Sequence, residues 1–368
     1  MSRSDEPARL DAFRDPWRFP AARSPERHVF PSDQRRCRAG LVVGQGWSVW
    51  TRRHRRPIGL LRRVRRLADM SYVTEPVRTE GGAVLLDGNR LRDRTVEQLR
   101  ERIERAGSPS VCLATVLVGD DAPSRVYVNM KHRKATEAGM VSRGVELPAT
   151  ATQQEVEHVV AQLVADPEVH GILVQLPLPE HLDAEPVLAL LPPEKDVDGL
   201  TDRSLGRLVR GLPGHAPCTP LGVMRLIEAY GIETVGKRAV VIGRSTLVGL
   251  PQMLLLGRKG CDATVTLAHS RTSDLVDVCR EADIIVAAVG QAGMITAEHV
   301  RPGATVIDVG VSRSDSGIVG DVMFDAVQAV AGAITPMPGG TGPMTIACLL
   351  ENTVSAAAML GEISLLGA

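Results

Sequence analysis

Lys237-Arg238-Ala239-Val240-Val241-Ile242-Gly243-Arg244-Ser245-Thr246-Leu247-Val248-Gly249-Leu250-Pro251 is the stretch of this 368-residue chain from which its fold can be read. Residues 237–243 are nearly all apolar, which predicts a strand buried on both faces of a parallel sheet. Gly243 breaks the strand, and a helix is expected to start soon after. A strand, a glycine turn and a helix start present backbone N–H groups and the positive end of a helix dipole, an arrangement suited to a phosphate. The spacing departs from Gly-x-Gly-x-x-Gly: Ser245 holds the place of the second glycine, and Gly249 comes one residue late. Gly243, Arg244, Ser245, Val248 and Gly249 are the candidates for binding a cofactor, on a motif of moderate specificity.

Downstream, strands are expected at 263–268, 284–289 and 305–309, and upstream a helix at 220–230. This is an open, doubly wound, Rossmann-like arrangement. At the end of the strand after the glycine turn, an NAD site calls for an acid to bond the ribose 2′-hydroxyl. The chain offers His269-Ser270-Arg271-Thr272 instead. Arg244, Ser270 and Arg271 can bind a 2′-phosphate through charge-assisted hydrogen bonds, which favours NADP as cofactor. The bland alternative for either arginine is that it faces solvent.

A first unit precedes this one. Strands are expected at 83–86, 110–118 and 171–175, and helices at 95–106, 124–140 and 152–165. Gly107 and Gly139 act as stops. The alternation implies a second parallel sheet with helices on its faces. The fold class is therefore α/β with two domains. A substrate-binding unit over 83–216 is completed by a C-terminal helix over 344–366 that returns to it, and a nucleotide-binding unit spans 217–343.

Ser124, Tyr127 and Lys131 stand at i, i+3 and i+7 and share one helix face. A buried lysine there can serve as acid or base once its pKa falls. A solvated polar face explains the same spacing, so this pattern alone is weak. Gln175 ends a buried strand ahead of Leu176-Pro177-Leu178-Pro179, where parallel sheets open onto ligand crevices. Asp196 and Asp198 lie in Pro193-Glu194-Lys195-Asp196-Val197-Asp198-Gly199. One of those carboxylates can bond an amide-like heterocycle edge, whereas turn capping is the ordinary role of the other.

Residues 1–69 are of a different kind. They are rich in arginine, contain no lysine, and hold all three tryptophans, Trp17, Trp47 and Trp50. Formal net charge is +0, so the remainder is acidic by the amount that this segment is basic. The segment reads as a basic tail, a targeting peptide or a region upstream of a true start at Met70. No apolar run reaches the roughly 18 residues of a membrane helix. The six cysteines, Cys37, Cys112, Cys218, Cys261, Cys279 and Cys348, form no Cys-x-x-Cys pair and no zinc-type cluster. They are expected to be small buried residues in a reducing cytoplasm, and no metal is expected.

Six segments together resemble the bifunctional methylenetetrahydrofolate dehydrogenase/cyclohydrolase family. They are Ser124-Arg125-Val126-Tyr127-Val128-Asn129-Met130-Lys131, residues 171–179, Lys195-Asp196-Val197-Asp198-Gly199, Pro217-Cys218-Thr219-Pro220, residues 243–251 and residues 336–345. The resemblance runs from Ala83 to the C-terminus. It implies oxidation of methylenetetrahydrofolate by NADP, then hydrolysis of the methenyl product to 10-formyltetrahydrofolate. By motif, it implies that Lys131 is the acid/base of hydrolysis, held by Gln175, and that Tyr127 stacks on the folate ring with Ser124 bonding near it. It further implies that Asp198 anchors the pterin edge and that Pro338, Gly339 and Gly340 line the cleft floor. A homodimer joined through the nucleotide-binding domains is implied, with tetrahydrofolate derivatives as partners and neither a membrane nor a nucleic acid for 83–368. Met337 and Thr341 stand where the family has valine, and Ser204 where asparagine is common, so altered cleft packing is expected. A dehydrogenase without hydrolytic activity, or a nucleic-acid role for residues 1–69, is the alternative.

Overall fold

The computed structural model describes residues 75–314 and 317–361. The candidate helix near 58–67, Cys37, the three tryptophans and the end of the expected C-terminal helix lie outside them.

Two parallel sheets carry the chain. In the smaller, β2 (Cys112–Val118) lies between β3 (Val141–Leu147) and β4 (Gly171–Val174), paired in parallel to both. Every residue of β2 and β4 is buried, as the apolar runs predict. The edge strand β3 was not anticipated. Its sequence, Val141-Ser142-Arg143-Gly144-Val145-Glu146-Leu147, has a mostly exposed pattern, so neither period nor apolarity marks it. Helix α1 (Gly88–Arg105) starts seven residues ahead of expectation, because Asp87 caps it by accepting from the Arg90 amide at 3.0 Å. Helix α2 (Ala122–Glu137) follows β2, and α3 (Gln153–Ala165) begins with a capping box of Thr152 and Glu155. Two short unanticipated helices, α4 (Ala184–Ala189) and α5 (Asp202–Val209), precede α6 (Cys218–Ala229).

The larger sheet has six parallel strands. They are β1 (Val84–Leu85), β5 (Arg238–Ile242), β6 (Thr264–Ala268), β7 (Ile284–Ala287), β8 (Thr305–Asp308) and β11 (Ala333–Ile334), in the spatial order β1-β11-β8-β7-β5-β6. Between them come α7 (Gly249–Gly257), α8 (Leu275–Arg280), a small antiparallel hairpin of β9 (Ser312–Ser314) and β10 (Gly317–Val319), and α9 (Phe324–Val327). Counted from β5, the strand order is 2-1-3-4-5, a doubly wound order whose direction reverses between β5 and β7. Ligands bind in the crevice at the strand ends of such a switch point. Strand β1, expected in the first unit, pairs with β11 and forms the outer edge of this second sheet. A two-residue strand offers no face pattern from which its sheet could be inferred.

The last helix, α10 (Thr341–Met359), joins the two lobes. Its Met344 and Ala347 pack in the core around Val223, Leu226 and Val241. Its Leu349, Leu350 and Val354 pack in the other, against Val96, Leu99 and Leu113. Each of the leucine, methionine and valine side chains among them contributes about 1.5–3 kcal/mol on burial. The helix starts three residues earlier than expected and ends at Met359, and Gly361, two residues beyond, takes a positive φ of 88°.

Candidate active site

Helix α2 sets the first group in place. Its cap, Asp121, accepts from the Ser124 amide at 2.9 Å. Ser124, Tyr127 and Lys131 then follow along one face, with Ser124 and Lys131 buried and Tyr127 40% exposed. Parallel pairing of β2 with β4 brings the end of β4 beneath this face, where the Gln175 amide donates to the Val116 carbonyl at 2.9 Å. The Lys131 Nζ donates to Gln175 Oε1 at 3.0 Å. The Gln175 Nε2 donates to the Leu176 carbonyl at 2.6 Å, which leaves Oε1 turned to the lysine.

Asp198 approaches from a tight turn. Asp196 makes the turn, accepting from the amides of Gly199, Leu200 and Thr201 at 3.0–3.2 Å. Asp196 is thereby spent on backbone, and Asp198 is the carboxylate at the site. Burial drives the Lys131 ammonium below its usual range, against the opposing pull of Asp198. Burial likewise raises the Asp198 carboxyl, opposed by the charge of Lys131. The Cys218 thiol is pushed well above its ordinary value by burial. It is a neutral donor, bonded to the Val197 carbonyl at 3.3 Å.

Lys131, Gln175 and Asp198 open onto one cavity of about 120 Å³. Its walls include Leu173, Leu176, Pro217, Cys218, Thr219 and Thr345, and also Leu247 from the glycine loop. Thr219 and Thr345 pair their hydroxyls at 3.2 Å. Cys218, Thr219 and Thr345 were assigned no role from sequence, although each stands in one of the six quoted segments. Their meeting depends on α6 packing against α10, which no local pattern reports. Four of the five described cysteines are buried, and Cys261 is half-buried.

Ser124 and Tyr127 are not among the cavity's lining residues. Pro338, Gly339 and Gly340 are not among them either. They stand instead at the start of α10, where the Gly339 carbonyl accepts from the amides of Gly88 and Asn89 at 2.9 and 3.2 Å. A Cβ on Gly339 would meet Asn89 Nδ2, and one on Gly340 would meet Thr335 and the Pro336 carbonyl. The space those glycines leave is filled by this chain itself. Thr341 departs from valine with a purpose: its hydroxyl donates to the Asp308 carbonyl at 2.9 Å. Ser204 is fully buried, its amide held by the Thr201 hydroxyl at 3.1 Å. Nothing in the structure explains methionine at 337.

The glycine loop lies at the switch point. Gly243 has a φ of 116°, and a Cβ there would overlap the Ala288 carbonyl at the end of β7. A Cβ on Gly249 would overlap the Gly243 carbonyl. These close approaches account for both glycines. Val248 precedes α7 without any side-chain cap, and its amide donates to the Ser245 hydroxyl at 3.2 Å. The first N–H groups of α7 thus have no side-chain cap of their own, which suits an incoming phosphate. Arg244, Ser245, Ser270 and Arg271 are exposed around it, and neither arginine makes an ion pair among the described residues. This donor set fits a phosphorylated dinucleotide. Among the described residues, no three potential ligands cluster to hold a metal, and no helix is long and apolar enough to cross a membrane.

A substrate lobe with a buried lysine, facing the glycine loop of a doubly wound lobe across one cavity, defines a dinucleotide-dependent α/β enzyme. Residues 86–198 match the model of the tetrahydrofolate dehydrogenase/cyclohydrolase catalytic domain, and residues 217–360 match that of its NAD(P)-binding domain. The chain belongs to the tetrahydrofolate dehydrogenase/cyclohydrolase family.

It is 52% identical over 275 residues to the bifunctional protein FolD of Methanospirillum hungatei, covering 74% of this chain and 97% of that one. It is 51% identical over 300 residues to the bifunctional protein FolD of Caulobacter vibrioides, covering 77% and 99%. The crystal structure of the bifunctional FolD enzyme from Campylobacter jejuni superposes with a TM-score of 0.73 at 44% identity, over 76% of this chain and 99% of that one. The dehydrogenase-cyclohydrolase of Trypanosoma brucei, solved with NADP cofactor and an inhibitor, superposes at 0.71 with 39% identity, over 75% and 98%.

Proposed function

We propose that this chain oxidises 5,10-methylenetetrahydrofolate to 5,10-methenyltetrahydrofolate with NADP, and hydrolyses that product to 10-formyltetrahydrofolate in the same cavity. The observation that carries the reading is the Lys131–Gln175 hydrogen bond inside a cavity shared by Asp198 and Leu247 of the glycine loop.

Gly243, Ser245, Val248 and Gly249 hold the cofactor's phosphates, and Arg244, Ser270 and Arg271 hold its 2′-phosphate. When bound, NADP supplies the hydride acceptor. The protein's part in that first step is orientation: Asp198 bonds the pterin edge, Tyr127 covers the ring face and Ser124 bonds beside it. Loss of hydride from the methylene carbon leaves a cationic methenyl carbon, already activated toward water. Water adds to that carbon, and the Lys131 amine takes the proton released. Returning it to the ring nitrogen as the carbon–nitrogen bond opens, while the added hydroxyl gives up its own proton to solvent, leaves a formyl group. Burial supports this by lowering the lysine's pKa, which favours the neutral amine that can take a proton. Gln175 Oε1 accepts from the amine and aims its lone pair. Positioning and one proton shuttle then suffice for hydrolysis.

In this reading residues 83–216 with α10 form the folate part, and 217–343 the NADP part. The working form is a cytoplasmic homodimer joined through the NADP parts. The test is Lys131→Met with both steps followed spectroscopically. Hydrolysis of methenyltetrahydrofolate is expected to fall about 10²–10⁴-fold, while reduction of NADP persists. Unchanged hydrolysis would remove Lys131 from this role.

A further inference from the structure

Asn352 lies in α10, 155 residues along the chain from a backbone carbonyl that it binds. Only 6% of it is exposed. Its Nδ2 donates to the Val197 carbonyl at 2.8 Å and to the Ala216 carbonyl at 3.2 Å, and touches Cys218 Sγ at 3.7 Å. Val197 directly precedes Asp198, and Ala216 directly precedes Pro217 and Cys218. One side-chain amide therefore joins the two backbone segments that deliver Asp198 and Cys218 to the cavity. The Cys218 thiol donates to the same Val197 carbonyl. On the far side of Asp198, the Asp196 carboxylate holds the amides of residues 199–201. Asp198 is thus pinned in front by Asn352 and behind by Asp196. Val197 has no room to slide, since it is fully buried and a Cβ on Gly171 would stand 2.7 Å from its Cγ1.

We propose that Asn352 is a positioning residue for Asp198, fixing that carboxylate relative to Cys218 and Lys131 from a helix rooted in both cores. The proposal rests on the reading of Asp198 as the anchor of the folate ring. Its physical basis is preorganisation: a buried carbonyl pair shared by one amide has a single low-energy arrangement, and removing the donor leaves the Ala216 carbonyl without that partner and the Val197 carbonyl with only the weak Cys218 thiol donor, so the two are free to part. A misplacement of about 1 Å at a binding group can cost as much as a hundredfold.

The experiment measures binding of tetrahydrofolate and of NADP, separately, by calorimetry on the full chain. Asn352→Ala is expected to raise the Kd for tetrahydrofolate about tenfold and to change that for NADP less than twofold. Asn352→Ser, which keeps a short donor, is expected to recover part of the loss. Thr353→Val serves as control: Thr353 is equally buried on the same helix, but its hydroxyl bonds only the Leu349 carbonyl at 2.8 Å, and neither Kd is expected to move. Unchanged tetrahydrofolate affinity in Asn352→Ala, or equal loss of both ligands, overturns the proposal. If Asn352→Ala does not fold, Asn352→Ser decides on the same two constants. Asp198→Asn separates the two ideas. If it leaves tetrahydrofolate binding intact, the reading of Asp198 fails. If it weakens binding and the Asn352 variants do not, only the present inference fails.

Discussion

Lys131 and Asp198 set each other's protonation. Burial lowers the lysine, and the nearby carboxylate partly restores it. Asp198→Asn removes that opposing charge, so the lysine pKa falls further. The inflection in the pH profile of hydrolysis is expected below the ordinary lysine value of 10.5 in the parent chain, and lower again in Asp198→Asn. An unchanged inflection would show that the carboxylate does not act on the lysine. A second buried carboxyl behaves in the opposite sense to an ion-paired one. Asp308 is pushed up to about 6 by burial, although it accepts from the amides of Gly310, Asp321 and Val322. The folded chain therefore binds that proton more tightly than the unfolded chain between the ordinary carboxyl value of 3.8 and about 6. Its contribution to stability is full below that window and declines by about 3 kcal/mol as pH rises through it. Urea unfolding of the parent chain and of Asp308→Asn, compared at pH 4 and pH 7, is expected to show a parent-minus-variant difference that shrinks toward neutral pH. A constant difference would reject the assignment.

At the scale of elements, the glycine loop is where sequence and packing meet most closely. The β5–turn–α7 pattern was legible because a buried parallel strand is nearly all apolar. The reason for Gly243 was not, since its neighbour is the Ala288 carbonyl, delivered by another strand. Gly243→Ala adds a methyl against backbone that cannot yield, at a φ that side chains avoid. It is expected to lower stability by about 2–3 kcal/mol and to weaken NADP binding, read from thermal unfolding with and without the cofactor. Full NADP binding in a stably folded variant would contradict this account of the loop. The elements that escaped the sequence reading have a common cause. Strand β3 is an exposed edge, β1 is two residues long, and the first turn of α1 reads Gly88-Asn89-Arg90-Leu91, with a single apolar residue to mark a period.

Over the whole molecule, α10 does most to join the lobes, by lying in both cores and supplying Thr345 and Asn352 to the site. The family match begins at residue 86, and the basic segment before Met70 lies outside it. A chain starting at Met70 is expected to equal the full chain in both activities and in thermal unfolding midpoint. A loss of either activity would give residues 1–69 a part in the enzyme. By itself, the sequence determined the α/β class, the two parallel sheets, the glycine loop and the shared helix face of Ser124, Tyr127 and Lys131. Each of these is written in a short-range period or a local turn requirement. Only the tertiary structure decided that Lys131 reaches Gln175, that Asp196 is spent on a turn while Asp198 faces the cavity, and that Leu247 closes that cavity from the other lobe. It also decided that Gly339 and Gly340 make room for the start of α1 and for Thr335 and Pro336. Those outcomes depend on strand order and helix packing between residues tens to more than a hundred positions apart, and no local pattern in the chain encodes such distances.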